Sequence, residues 1–148
     1  MANVGTKLGV AGGIIGAMVA AAVTQAGVRR LFERSEPDMR SQAFLSQVAS
    51  ETNKTLPSTV DKETELINTT GLEGVFVYNY RLVNTSASDV NPAKLVEVLR
   101  PQIQSSACTL PATRDTFLKK GVTLRYSYAD SQRAFLASID ITPKDCGF

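Results

Sequence analysis

The pattern of hydrophobic and polar positions divides the chain into two unlike parts. An apolar run, Leu8–Val28, contains no charged side chain and only two clearly polar ones, Thr24 and Gln25. The sequence after Arg29 mixes apolar and polar residues as a folded domain does. Because about 20 helical residues cross a hydrocarbon core of about 30 Å, the run is long enough to form a transmembrane helix.

Apolar residues at helical spacing predict three helices in the second part of the chain. These are Pro37 to about Asn53, Pro92 onward through Ile103, and Ala112 to Lys120. Asn91 suits the N-cap of the second helix. Pro101 lies inside that helix, where a proline removes a backbone hydrogen bond and predicts a kink or a division near Leu99.

Alternating positions predict four strands, and Ser58–Lys62 is interpreted as a loop before the first of them. The predicted strands are Thr64–Thr70, Val75–Asn84, Val122–Tyr128 and Ala134–Thr142. The side chains expected to face the core in the second strand are Phe76, Tyr78, Tyr80 and Leu82. Those expected to face the core in the last strand are Phe135, Ala137, Ile139 and Ile141.

These elements predict an α+β fold in which an N-terminal transmembrane helix precedes an α-β-β-α-α-β-β domain. We expect a mostly antiparallel sheet of about four strands, helices on one face, and one disulfide. The predicted division is residues 1–30 for the tail and membrane helix or signal peptide, 31–54 for a connecting amphipathic helix, and 55–148 for the exported domain.

Small residues repeat every four positions in and just before the apolar run, as in a glycine zipper. One set contains Gly5, Gly9, Gly13 and Ala17, and a second contains Gly12 and Gly16. Residues four apart share a helix face, and small ones allow a second helix to approach closely. The spacing therefore predicts a homo-oligomer through the membrane helix, in contact with membrane lipid, although glycine and alanine are common in such helices.

A cleaved signal peptide is the alternative interpretation of the apolar run, with small residues such as Ala22 or Ala26 near a cleavage site. The run is longer than the usual apolar core of a signal peptide. Arg29, Arg30 and Arg34 follow it, and by the positive-inside rule they would keep the following domain in the cytoplasm. The two cysteines of the domain favour the periplasmic side instead, because disulfides form in oxidising compartments.

Cys108 and Cys146 are the two cysteines of the chain. Two cysteines alone do not make a zinc site, and their separation excludes a Cys-x-x-Cys redox pair. After an export-type leader, they predict one structural disulfide, with two separate buried thiols as the alternative. We therefore expect the domain on the periplasmic side of a bacterial inner membrane, or periplasmic or secreted if the leader is cleaved.

The composition offers little catalytic chemistry. The chain has no histidine, which removes the commonest general base and metal ligand, and its formal net charge is +2, too small to favour nucleic acid. The acidic residues Asp61, Glu63 and Glu65 are interpreted as a solvated edge. We predict no catalytic residue, metal, cofactor or nucleic-acid partner.

The most suggestive surface is one side of two predicted strands. If those strands are neighbours, five polar side chains share a face that could bind a protein partner of the envelope: Asn79, Arg81, Thr123, Arg125 and Ser127. Four tyrosines on the opposite side are expected to lie in the core, because alternating aromatic residues bury large apolar areas.

The domain resembles a family of small bacterial envelope proteins without an assigned activity. The resemblance covers most of the chain after Asn53 and rests on these segments: Thr55-Leu56-Pro57, Val60-Asp61, Tyr78-Asn79-Tyr80, Leu82-Val83-Asn84, Cys108, Leu118, Gly121-Val122, Tyr126-Ser127-Tyr128 and Asp145-Cys146. The resemblance implies an exported domain and no particular activity. A looser likeness, in architecture only, is to the disulfide-bearing pilotins of type II secretion.

We therefore expect a membrane-anchored envelope protein whose small periplasmic α+β domain is a non-enzymatic protein-interaction or assembly module. The alternative is a secreted or periplasmic ligand-binding domain or enzyme released by signal cleavage. A pocket beneath the sheet would favour the alternative. A filled core with an exposed outer sheet face would favour the interaction module.

Overall fold

The computed structural model describes residues 37–148. The predicted membrane segment and its small-residue repeats lie outside the described residues, so their structure stays a prediction. Within residues 37–148, no helix combines the length and the apolar character that a membrane span requires.

Residues 37–148 form three α-helices and one five-stranded sheet. The helices are α1 (Gln42–Asn53), α2 (Pro92–Thr109) and α3 (Pro111–Arg114). The strands are β1 (Ser58–Thr59), β2 (Thr64–Leu72), β3 (Val75–Leu82), β4 (Thr123–Ala129) and β5 (Phe135–Ile141). Short 3-10 helices cover Ala87–Asp89, Leu118–Lys120 and Pro143–Cys146.

The strands lie in the sheet in the order in which they occur in the chain, β1-β2-β3-β4-β5. Three of the pairs are antiparallel, and the central pair, β3 with β4, is parallel. A parallel pair requires a crossover connection, which α2 and α3 provide between the two strands. The two halves of the sheet are therefore antiparallel ladders joined through one parallel pair.

The helices pack on one side of the sheet, which we call the inner face. Buried residues of α1, such as Phe44 and Leu45, and of α2, such as Leu99 and Ile103, join one core with the inward side chains of the strands. Contacts of α1 are mainly with β2 and those of α2 mainly with β5. The prediction of helices on one face is confirmed.

Four tyrosines stack on the inner face of the central parallel pair. Ring centroids lie 5.2 Å apart for Tyr78 with Tyr126 and 5.2 Å apart for Tyr80 with Tyr128, at interplanar angles of 26° and 20°. The parallel register places Tyr78 beside Tyr126 and Tyr80 beside Tyr128. Each tyrosine is at most 5% exposed, so these rings are core, as the alternation predicts.

Gly71 sets the distance between α1 and the sheet. A β-carbon at this position would collide with the backbone of Leu45 and Ser46. The hydroxyl of Ser46 donates a hydrogen bond to the Gly71 carbonyl oxygen at 3.2 Å. The missing side chain therefore allows the helix backbone to rest directly on β2.

Three predicted boundaries are wrong. The first helix begins at Gln42, not at Pro37, because Ser41 is its N-cap and accepts from the Phe44 amide. The second helix runs from Pro92 to Thr109, so the predicted division near Leu99 is absent, whereas the predicted kink stays a prediction. The third predicted helix is two short pieces that end at Gly121, whose φ of 83° is left-handed.

The predicted strand count is also too low. Ser58 and Thr59, interpreted as loop from the sequence, pair with Leu66 and Glu65 as a fifth strand. A two-residue strand carries no readable alternation, so only its pairing with β2 identifies it.

Phe135 is the largest error within a predicted strand. It is 68% exposed, whereas Leu136 is 5% exposed and joins the core. The register between β4 and β5 shifts at Tyr128/Ala129, so that Tyr128 pairs with Ala137 and Ala129 pairs with Phe135. This bulge breaks the strict alternation that the sequence pattern assumes and turns Phe135 to the other side.

The predicted disulfide between Cys108 and Cys146 is present, with Cα atoms 5.3 Å apart. It joins the last turn of α2 to the 3-10 helix that follows β5. Two further contacts tie Asp145 to α2: Gln104 donates to the Asp145 carbonyl oxygen at 2.9 Å, and Arg100 lies 3.6 Å from the Asp145 carboxylate. The C-terminal tail is therefore held against the helix layer.

Candidate functional site

The side of the sheet opposite the helices, which we call the outer face, has the clearest exposed polar surface. The strand registers arrange its side chains in four rows across the sheet. The rows are Glu65, Arg81, Ala129 and Phe135; Asn68, Asn79, Ser127 and Ser138; Thr70, Val77, Arg125 and Asp140; and Leu72, Val75 and Thr123.

The five side chains predicted as a binding face do lie together on the outer face. Asn79 is beside Ser127 in the parallel register, and Thr123 is beside Val75. Arg125 is beside Val77 and Arg81 is beside Ala129, so the two arginines are in different rows. All five are half-buried. The sequence therefore predicts the grouping, while the spacing of the charges comes from the register.

Arg125 forms a two-pronged ion pair with Asp140 of β5. Its Nε donates to Oδ1 at 2.7 Å and its Nη2 donates to Oδ2 at 2.8 Å. This planar geometry matches a guanidinium to a carboxylate, and the hydrogen bonds from it raise the pKa of Arg125. Arg125 is 39% exposed as a side chain, so the pair is both fixed and accessible.

Arg81 is held in a similar way from the opposite side. Its Nη2 and Nε donate to a single oxygen of Glu65 on β2, at 2.6 Å and 3.2 Å. Between the two ion pairs, Asn79 donates to Asn68 at 2.8 Å and to Thr70 at 3.3 Å. The outer face thus carries two positive and two negative side chains, each positive group next to a negative one.

Apolar side chains flank this polar centre at two corners. Leu72 is 38% exposed at one end of β2, and Phe135 is 68% exposed at the start of β5. Val77, between Thr70 and Arg125, is 7% exposed and supplies a buried apolar centre. Aromatic side chains and arginines are enriched at protein-binding surfaces, and the outer face carries both.

The inner face offers a different chemistry. Burial raises the pKa of Tyr78, Tyr80, Tyr126 and Tyr128 above the ordinary value of 10.0, so the hydroxyls stay protonated at neutral pH. The hydroxyls of Tyr80 and Thr64 are buried without a hydrogen-bond partner among the described residues. The described part of the chain contains no group of three or more metal-binding side chains.

Sequence reasoning missed four residues of the outer face. Glu65 and Asp140 were not identified as partners of the arginines, and Leu72 and Phe135 were not identified as exposed. Asp140 could have been found from the predicted hairpin of β4 and β5. A register that places Arg125 opposite Asp140 pairs opposite charges, which is favourable between neighbouring strands. The exposure of Phe135 has no such signal, because the bulge that causes it is not marked by a glycine.

Comparison with known proteins finds similarity in structure only. No family model matches this chain, and no curated protein matches it. A candidate secreted protein from Pseudomonas aeruginosa superposes with a TM-score of 0.61 and 18% identity, over 71% of this chain and 91% of that one.

Two pilotins of type 2 secretion systems also match. EpsS of Vibrio vulnificus has a TM-score of 0.57 and 16% identity, over 72% of this chain and 92% of its own. AspS of Vibrio cholerae has a TM-score of 0.53 and 14% identity, over 71% and 91%. This chain shares their fold. At these identities the likeness concerns the fold alone, and it agrees with the architectural resemblance inferred from the sequence.

Proposed function

We propose that this protein is a non-enzymatic interaction or assembly module of the bacterial cell envelope, and that the outer face binds its protein partner. The observation that carries this proposal is the fixed charge pattern of that face. Arg81 and Arg125 are held by Glu65 and Asp140, so their orientation is set before a partner arrives. Groups that are already ordered lose less entropy on binding.

The likeness in fold to known structures is a second argument for the proposal. Two of the structures that share it are named as pilotins of type 2 secretion systems. The disulfide between Cys108 and Cys146 fits a domain that works in an oxidising compartment. A periplasmic location is therefore part of the proposal.

The proposed anchor is the apolar segment Leu8–Val28, which would hold the domain at the inner membrane. Its length supports a membrane span, and its small-residue spacing supports self-association. Membrane fractionation combined with an intact mass of the mature chain tests the anchor. A full-length chain released only by detergent supports it, and a soluble chain that starts after Ala22 or Ala26 contradicts it.

Site-specific photocrosslinking in the native host tests the binding face. A photoreactive phenylalanine analogue replaces Ser127 or Thr70 on the outer face and, as a matched control, the exposed Ser50 on α1. We expect both outer-face positions to crosslink to the same protein, identified by mass spectrometry, and Ser50 not to. Crosslinks to that protein in equal yield from Ser50 would contradict the proposal.

A charge variant separates binding from folding. Arg125→Ala removes one ordered guanidinium from an exposed ion pair, which typically costs about 1 kcal/mol or less of stability. We expect it to reduce the crosslink from Ser127 while the thermal unfolding curve changes little. Lys62→Ala, an exposed cation outside the outer face, provides the control and should leave the crosslink unchanged.

A further inference from the structure

One end of the sheet, which we call the basal end, carries the turn between β2 and β3 and the first residues of β3 and β4. Thr123 lies beside Val75 in the parallel register, and Ile141 pairs with Leu124, so β5 finishes at this end too. Residues 110–122 lead into β4 and residues 142–148 follow β5, so both segments belong to the basal end. The turn between β4 and β5 lies at the opposite end, which we call the apical end.

The segment that precedes α1 is also fixed to the basal end. The Gly74 amide donates to the Arg40 carbonyl oxygen at 2.7 Å, and the Gln42 amide donates to the Glu73 carboxylate at 2.9 Å. The Arg40 side chain lies against Gly121, with its Cδ 3.3 Å from the position that a β-carbon would take there. The described chain therefore enters the domain beside the turns that precede β3 and β4.

Chain length keeps this end close to a membrane if the apolar segment Leu8–Val28 is the anchor, as in the proposed function on which this inference rests. Eight residues, 29–36, separate that segment from Pro37. At no more than about 3.6 Å per residue, they span at most about 29 Å. The basal end is therefore the part of the described domain that is tethered next to the lipid.

The basal end carries exposed basic side chains that no acidic group neutralises by pairing. Arg40, Lys120 and Lys144 are exposed, and none of them has an ion-pair partner among residues 37–148. The acidic side chains of this end already accept hydrogen bonds from the chain itself: Asp38 from Arg40, Glu73 from Gln42, Asp115 from Arg114, and Asp145 from Thr142. Exposed cations of this kind are attracted by anionic lipid head groups.

Exposed apolar side chains accompany these cations. Phe148 is 46% exposed, and the Lys119 ammonium lies over its ring, 5.5 Å from the centroid. Leu72, at the end of β2, is 38% exposed. Segments that lie on membranes combine basic groups at the head groups with aromatic or aliphatic groups at the acyl boundary. The basal end carries both kinds of group.

The apical end has the opposite charge balance. The apical loops are residues 55–63, 83–91 and 130–134, and the basal segments are residues 37–41, 73–74, 110–122 and 142–148. The apical loops contain four acidic and two basic side chains, whereas the basal segments contain four acidic and five basic ones. An anionic surface therefore favours the basal end over the apical end.

We propose that the basal end binds the surface of an anionic phospholipid membrane, with Arg40, Lys120 and Lys144 at the head groups and Phe148 at the acyl boundary. In this orientation the strands point away from the lipid, because each of the four long strands reaches the basal end with one terminus. The outer face then stays open to a protein partner. The basal contact adds to the anchor and fixes the orientation of the domain on the membrane.

Two exposed phenylalanines of the described part of the chain provide a matched test. Phe148 lies at the basal end, and Phe135 lies at the apical end of β5. A photoreactive phenylalanine analogue replaces one or the other in the full-length chain. The chain is reconstituted into vesicles of phosphatidylcholine, alone or with about 30% phosphatidylglycerol as the anionic lipid. Intact mass after irradiation measures the fraction of chains that carry a lipid adduct.

In the vesicles with phosphatidylglycerol, we expect about five-fold more lipid adduct from position 148 than from position 135. The yield at position 148 should fall several-fold in phosphatidylcholine alone, and also in about 1 M salt, where the screening length is only about 3 Å. Equal yields from the two positions would overturn the proposal, as would a yield at position 148 that depends on neither the anionic lipid nor salt.

Charge reversal tests the cations directly. Lys120→Glu with Lys144→Glu should lower the yield at position 148 several-fold, because attraction to the head groups becomes repulsion. Lys62→Glu with Arg133→Glu makes the same change of charge at exposed apical positions and should leave the yield unchanged. An undiminished yield in the basal double variant would overturn the proposal, and circular dichroism verifies that both double variants fold.

The vesicle experiment also distinguishes the basal contact from the proposed function. A full-length chain that stays out of the vesicle fraction overturns the anchor and the basal contact together. A vesicle-bound chain without the adduct at position 148 overturns the basal contact alone. Crosslinks from Ser127 to a protein partner report separately on the outer face.

Discussion

The two faces of the sheet share the same strands and have opposite physical character. The inner face carries stacked tyrosines and aliphatic residues that are covered by α1 and α2. The outer face carries ion pairs and amide hydrogen bonds that stay accessible. Adjacent residues of one strand, such as Tyr78 and Asn79, belong to these different environments.

This difference separates the sources of stability from the sources of recognition. Removing apolar area from water contributes roughly 25 cal/mol per Å², so the inner face supplies most of the folding energy. Exposed ion pairs contribute little to folding because water screens them. The outer face can therefore vary in sequence at small cost, and its charges are available to select a partner.

The comparison is tested most strongly by truncating a residue of the inner face. Phe76 is fully buried and stacks on Phe117 with ring centroids 4.8 Å apart. We expect Phe76→Ala to lower the free energy of unfolding by about 3–5 kcal/mol, because the cavity adds to the lost apolar burial. Asn79→Ala on the outer face of the same strand should change it by about 0.5 kcal/mol. Urea unfolding measures both, and similar losses would contradict the assignment of the two faces.

Removing the disulfide tests how much the link between α2 and the C-terminal 3-10 helix stabilises the helix-covered side of the sheet. Replacing Cys108 and Cys146 by serine should cost about 2–4 kcal/mol in unfolding free energy, because the cross-link no longer restricts the unfolded chain. A reducing agent should produce the same shift in the native protein and none in the double variant. A native protein whose unfolding midpoint is insensitive to reduction would contradict this expectation.

A single methyl group at the α1–β2 contact tests how closely the inner face is packed. Gly71→Ala places a β-carbon against the backbone of Leu45 and Ser46, which cannot move as a side chain does. We expect a loss of about 1–3 kcal/mol from overpacking. Thr70→Ala, at the neighbouring exposed position, should have little effect. Equal unfolding midpoints for the two variants would contradict the close approach of α1.

The ion pair of the outer face provides the complementary measurement. In a double-mutant cycle with Arg125→Ala and Asp140→Ala, we expect a coupling energy of about 0.2–1 kcal/mol, since both side chains are more than one third exposed. Added salt should reduce this coupling. A coupling as large as the loss in Phe76→Ala would mean that the outer face is a second core.

Unfolding at acid pH tests the carboxylate of Asp130, which lies outside both faces of the sheet. Near neutral pH we expect this group to change the pH dependence of stability least. Three backbone hydrogen bonds, the strongest from Ala134, lower the pKa of Asp130 below its ordinary value of 3.8. Stability from this group is fully present above 3.8 and is lost as the pH falls through the lower folded-state pKa. Asp130→Asn should therefore weaken the dependence of stability on pH below that value, measured by unfolding at several pH values.

Local sequence patterns predict much of the fold and the grouping of the outer face. Alternation in β3 and β4 identifies both faces, and Asn91 correctly marks the start of α2, where its side chain accepts from Ala93 and Lys94. Local sequence patterns fail to predict the structure where a contact with a residue distant in the chain determines it. Ser58 becomes a strand only because Leu66 lies beside it, and Phe135 turns outward only because of the bulge opposite Ala129.

The sequence by itself determined the long apolar segment, the α+β character and the buried tyrosines, because each depends on composition or on local periodicity. Its two cysteines predicted a disulfide, which the structure contains. Only the tertiary structure decided which charges meet. Glu65 and Arg81 are 16 residues apart and Arg125 and Asp140 are 15 apart, and strand register alone brings them together. Register is a property of paired strands, so a single strand cannot specify it.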